Sequence, residues 1–190
     1  EIVPVPINTG TLELIAKVPS IRVLFLDYAA VSDAGLFQLY SLGELEALGI
    51  SATQCTSRGI QGIQRLSKLK FLRCAETQID DESIVSLSQI PNLEFLDISY
   101  TSISATGVKR LVMLPKLREL RVAGIEIPQE IRMRLNADHS NITIVYVSVF
   151  GFAGPENRKP RRSAEAGSLN SVLNSALNSA TPGQRKKDGD

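Results

Sequence analysis

The stretch LEFLDISYTSISATGVKRLVMLP, residues 93–115, carries its apolar side chains at two different periods. Leu96 and Ile98 alternate with polar or mixed neighbours, and a period of two marks a short strand with one buried face. Ile103, five residues after Ile98, turns the chain back toward the core. Ser104 supplies a side-chain oxygen for the free N–H groups of a helix's first turn. Val108, Leu111 and Leu114 then recur at spacing three as one apolar stripe, and Pro115 stops the helix. One passage thus spells strand, turn, cap, helix and stop.

Shifted by a fixed 24 residues, the same spelling returns through most of the chain. Strand blocks open at Ile21, Leu45, Leu69, Leu93 and Leu117, with apolar pairs Leu24 and Leu26, Leu48 and Ile50, Leu72 and Cys74, Leu120 and Val122. The turn column reads Val31, Cys55, Ile79, Ile103, Ile127, and the cap column Asn8, Ser32, Thr56, Asp80, Ser104, Pro128. Stripes follow at Leu12, Ile15, Val18; Leu36, Leu39, Leu42; Ile60, Ile63, Leu66; and Ile84, Leu87, Ile90, each predicting a helix of about three turns. Pro19, Gly43, Pro91 and Pro115 end the rows, with Ser67 the exception. No single row can bury its own apolar side, whereas stacked rows share one core. The expected fold is an α/β solenoid, parallel strands on a concave face and helices on a convex one. An ordinary βαβ domain would not hold one register over consecutive rows.

These rows resemble leucine-rich repeats of the bacterial 24-residue kind, with the pattern LxxLxLxxTxIxDxGL. Leu93, Leu96, Ile98, Thr101, Ile103, Gly107 and Val108 match it, as do Val31, Asp33, Gly35 and Leu36 in an earlier row. The resemblance implies a right-handed solenoid and a binding scaffold used with many partners, rather than one activity. Thr53, Thr77 and Thr101, with Ala29 and Ile125, stand where a buried asparagine usually bridges neighbouring turns, so a continuous asparagine ladder is not expected.

The register runs backwards through Ile2, Val5 and Ile7, which predicts that Glu1 lies inside a repeat and that the chain is a fragment of a longer product. At the other end Pro128 replaces the cap, the stripe moves to Ile131 and Leu135, and the next strand reads Ile142, Val145, Val147, one residue late. The expected division is a repeat domain over 1–152 and a low-complexity, mostly disordered tail over 153–190. Within the tail, Leu169, Val172, Leu173, Ala176, Leu177 and Ala180 fall at helical spacing, a weak amphipathic helix over 168–180.

The 43% hydrophobic content suffices for one domain of moderate size, and no run of apolar residues is long enough to span a bilayer. The net charge of +1 hides a split, because the tail concentrates Arg158, Lys159, Arg161, Arg162, Arg185, Lys186 and Lys187 while the repeats are slightly acidic. Without interleaved aromatics these clusters read as solvating residues, and contact with nucleic acid or membrane is not expected. Cys55 and Cys74 occupy apolar columns and read as core residues. Asn141 opens a glycan acceptor pattern short enough to be accidental. His139, the single histidine, has no nucleophile or metal cluster arranged around it, and no phosphate loop or paired-carboxylate site occurs. No cofactor, metal site or catalytic residue is expected.

What remains is the outer face of the sheet. One column reads Phe25, Gly49, Arg73, Asp97, Arg121, Tyr146, and its neighbour Val23, Ala47, Phe71, Phe95, Glu119, Ile144, with Tyr28, Glu76 and Tyr100 beside them. Aromatics flanked by Arg and Asp have the composition of binding hot spots. The candidate contacts for a protein partner are Phe25, Tyr28, Phe71, Arg73, Phe95, Asp97, Tyr100 and Arg121, on a monomeric, non-enzymatic module. On this reading Phe95 and Arg73 are exposed, and their joint replacement by Ala weakens binding at nearly constant unfolding midpoint. The alternative is a spacer that works through its basic, amphipathic tail, which deletion of 154–190 tests.

Overall fold

Six three-residue strands recur every 24 residues: β1 (Val23–Phe25), β2 (Ala47–Gly49), β3 (Phe71–Arg73), β4 (Phe95–Asp97), β5 (Glu119–Arg121) and β6 (Thr143–Val145). The computed structural model describes residues 9–146, all within the first of two units, Glu1–Phe150 and Gly151–Asp190. The strands form one parallel sheet in chain order, and Leu24, Leu48, Leu72, Leu96, Leu120 and Ile144 stand in a single line across it. The expectations for residues 1–8 and for the tail, including the helix over 168–180, lie outside the described residues.

The stack buries the periodic columns. Leu36, Leu48, Leu72, Leu96, Leu120 and Val122 have no exposed surface, and the side chains of successive rows merge into one core. Cys55 and Cys74 lie in it as free thiols, bonded to the carbonyls of Val31 and Asp97. Burial pushes the Cys55 thiol up to about 11 and that of Cys74 well above its usual value, which leaves both unreactive.

The helices are shorter than the expected three turns. They are α1 (Thr9–Ala16), α2 (Asp33–Leu39), α3 (Ser57–Ile60), α4 (Ile84–Leu87), α5 (Ala105–Leu111) and α6 (Gln129–Asp138), joined in two rows by the 3₁₀ turns Ile63–Arg65 and Asp81–Ser83. The apolar spacing of three runs alike through α2 and α5, which stay α-helical, and through the two rows that turn 3₁₀, so the stripe by itself does not set the helix length. Gly62, at φ 99°, breaks its row between α3 and the following 3₁₀ turn.

Polar groups bind row to row at the helix starts. The Asp33 carboxylate accepts from the N–H and hydroxyl of Thr56 at 2.8 and 2.7 Å, and Asp81 does the same for Ser104 at 2.8 and 2.6 Å. Between them the roles are exchanged, since the Ser57 hydroxyl donates to Asp80 at 2.6 Å and accepts its N–H. Thr56, Asp80 and Ser104 also cap their own helices, whereas Ser32 and Pro128 make no side-chain cap bond. The hydroxyls of Thr53, Thr77 and Thr101 donate to carbonyls three residues back, so they tighten turns within a row rather than bridge rows.

The last strand does not slip. Leu120 pairs with Ile144 and Arg121 with Val145, so Tyr146 lies beyond the column in which the sequence pattern placed it, and Thr143, not Ile144, stands beside Glu119. The bonds from Thr143 N–H to the Arg118 carbonyl and from Val122 N–H to the Val145 carbonyl hold the register; only the buried Ile142 is displaced by one.

A charged column, Arg22, Glu46, Lys70, crosses three rows before the strands. Glu46 is 5% exposed; Arg22 donates to it through Nε at 2.7 Å and Lys70 lies at 2.9 Å. Burial alone would raise the Glu46 carboxyl, but hydrogen bonds and charge from Lys70 and Arg22 outweigh it and hold the group below its usual range. A depressed carboxyl contributes stability above its unfolded value, and the contribution is lost as pH falls through the folded value. Glu46→Gln should therefore cost about 2 kcal/mol near neutrality and less below the unfolded carboxyl range. Urea titrations of both proteins across that range check it; equal loss at every pH would contradict the charge argument.

Candidate functional site

On the outer face of the sheet, the strands place side chains at alternate positions, and the 24-residue offset sets equivalent ones side by side. Phe25 meets Phe71 edge to face at 6.0 Å, and Phe71 stacks on Phe95 at 4.2 Å with only 7° between ring planes. Arg121 continues the run, its guanidinium 4.9 Å from the Phe95 centroid and its Nε donating to Glu119 at 2.8 Å. Four of the candidate residues, from four rows, thus form one line across the strands.

This contact corrects the expected exposure. Phe71 and Phe95 are each only 4% exposed, because parallel rings in neighbouring rows cover one another, and Asp97 is 7% exposed with its carboxylate accepting the Ser99 N–H at 3.0 Å. The exposed aromatics of the face are Phe25 at 38%, Tyr28 at 65% and Tyr100 at 38%.

Arg73 is half-buried, its Nη1 3.7 Å from the Asp27 carboxylate, which also accepts the Ser51 N–H at 2.7 Å. Arg73 Nε and the Ser51 hydroxyl are buried and find no hydrogen-bond partner among the described residues. Asp27 and Ser51 escaped the sequence reading. The signal that could have found them is Gly49, since a lone glycine inside a strand marks a close approach. A Cβ on Gly49 would stand 2.5 Å from the Phe25 ring and 2.7 Å from the Asp27 carboxylate.

Tyr28 and Tyr100 leave the strands through left-handed backbone, φ 64° and 57°, together with Ala52, Glu76 and Gly124 in the same column. Such conformations cost a non-glycine residue about 1 kcal/mol each. Regular bonds between rows offset the strain: the N–H groups of Tyr28, Ala52, Glu76 and Tyr100 donate to the carbonyls of Ser51, Ala75, Ser99 and Ala123 at 2.7–2.9 Å. Gly124 leaves room for the Tyr100 ring, which would lie 2.4 Å from a Cβ there.

Elsewhere, a cleft of 480 Å³ on the helix side is lined by Glu13, Lys17, Phe37, Tyr40 and Arg65. Among the described residues no three His, Cys, Asp or Glu side chains gather as metal ligands. His139 ends α6, with its N–H on the Leu135 carbonyl.

Neither a family model nor a curated protein matches the sequence. Solved structures do match the fold. An internalin of Listeria monocytogenes is similar with TM-score 0.53 and 21% identity, over 76% of this chain and 45% of that one. Actin-binding site 2 of leiomodin-1 is similar with TM-score 0.55 and 12% identity, over 72% of this chain and 90% of that one. The chain thus spans less than half the length of the internalin. The likeness shows the fold, a leucine-rich-repeat solenoid with one parallel sheet and short helices.

Proposed function

We propose that the chain is a non-enzymatic, monomeric interaction module, of the bacterial 24-residue class of leucine-rich repeats, that binds a protein partner through the strand face. The observation that carries this is the grouping of Phe25, Tyr28 and Tyr100 on that face, each more than a third exposed, around half-buried Arg73 and Arg121. Exposed aromatics beside arginines are the residue types that dominate binding energies at protein interfaces. Phe71 supports the exposed Phe25 and Phe95 the Arg121 guanidinium, while Asp97 accepts the Ser99 N–H at the strand end. A solved structure of like fold is named for an actin-binding site, which supports a protein partner without identifying one.

Photocrosslinkers placed at Tyr100 and, as control, at Phe37 on the helix side test the reading. The Tyr100 probe should capture a defined protein that the Phe37 probe does not. Phe25→Ala and Tyr28→Ala together should weaken that complex by about 2 kcal/mol, near thirtyfold in Kd, while unfolding changes by no more than about 0.5 kcal/mol. Capture through Phe37 alone would move the site to the helices.

A further inference from the structure

Gly49 has no backbone reason to be glycine. Its φ is not positive, and in a strand a missing side chain weakens the element rather than helps it. The reason lies one row away, in the Phe25 ring, its registered neighbour in β1, which lies across the place that a Cβ would take. Crossing β2 there, the ring reaches Phe71 in β3 edge to face. The Asp27 carboxylate crosses the same row beside it toward Arg73. Real Cβ atoms do not approach a neighbour closer than 3.0 Å, so any side chain at position 49 has to move Phe25 and Asp27.

The face uses this device twice. Gly49 follows Phe25, and Gly124 follows Tyr100, by the same 24 residues, and the Tyr100 ring lies on Gly124 as Phe25 lies on Gly49. The two rings laid on glycine are each 38% exposed, against 65% for Tyr28, which Ala52 follows one row on. Gly124 also has a left-handed φ of 75°, so only Gly49 isolates the side-chain contact. An aromatic group already held against the sheet has less rotamer freedom to lose when a partner covers it, which strengthens binding without adding a contact.

We infer that Gly49 is a positioning residue of the binding face, which presets the exposed Phe25 ring for the partner by leaving it the space of a side chain. This goes beyond the reading of the strand face as a protein-binding surface and rests on it. The test uses the full chain with Phe25 replaced by para-fluorophenylalanine, carrying Gly49→Ala or, as control, Gly43→Ala, because nothing lies within 4 Å of a Cβ at Gly43. The fluorine resonance should move toward that of the free amino acid in Gly49→Ala and stay in place in Gly43→Ala. Affinity is then read, in chains with ordinary phenylalanine, for the protein that the Tyr100 crosslinker captures. Gly49→Ala should weaken that complex about fivefold at nearly constant urea midpoint, and by less than about twofold when Phe25→Ala is already present. The double variant has no ring to displace, so it folds even where Gly49→Ala alone does not. An unmoved resonance, an equal loss in both backgrounds, or a lowered midpoint with unchanged affinity overturns the inference. If Phe25→Ala leaves the complex intact while Tyr100→Ala weakens it, the positioning role falls and the strand-face reading stands. Loss on neither variant, or no capture at Tyr100, sinks both.

Discussion

Phe95→Ala should lower the free energy of unfolding by about 3 kcal/mol, a core-sized loss from a residue on the outer face of a sheet. Its ring is 4% exposed, stacked on Phe71 and covered by the Arg121 guanidinium. Truncation removes both contacts and leaves a gap that the flanking rows, pinned by the ladder, cannot close. The strand pattern alone leads to the opposite expectation, a Phe95 and Arg73 double variant that keeps its midpoint; the stacking geometry reverses it. Chemical denaturation decides between the two, because a loss under about 1 kcal/mol would mean that the ring contributes little packing. It follows that weakened binding by Phe95→Ala is no clean measure of contact, and that the exposed Phe25 is the better probe.

Leu72→Ala should cost more, about 4 kcal/mol. Leu72 is fully buried, paired in register with Leu48 on one side and Leu96 on the other, whereas Leu24, near the start of the described sheet, is only partly buried. In a solenoid each row is stabilised by its two neighbours, so a cavity in the middle weakens two interfaces at once. Leu24→Ala should accordingly cost about half as much. The comparison is made by urea titration of both variants, and equal losses would contradict the stacked-layer account. A shallower denaturant slope for Leu72→Ala would further show the two halves unfolding separately.

How much was legible depended on whether a residue's role repeats. Leu48, Leu72 and Leu96 sit in columns whose every member does the same job, so their burial could be read from spacing alone. Gly49, Asp27 and Ser51 have no counterpart one row away: Gly49 is small because Phe25 and Asp27 press on it from the neighbouring row. Likewise the left-handed column is nearly invisible in sequence, since tyrosine, alanine and glutamate fill four of its five described positions and only Gly124 is the residue that usually advertises positive φ. Helix length was not legible, because the same apolar spacing of three runs through rows that stay α-helical and rows that turn 3₁₀.

The amino-acid order by itself determined the unit, its length and its direction of stacking, because a fixed 24-residue period of apolar side chains admits one way to share a core. Tertiary contact decided which outer residues face solvent. Whether Phe95 is an exposed anchor or a covered plank depends on the rings and cations in the rows on either side, and that is a property of distances between rows rather than of any one of them.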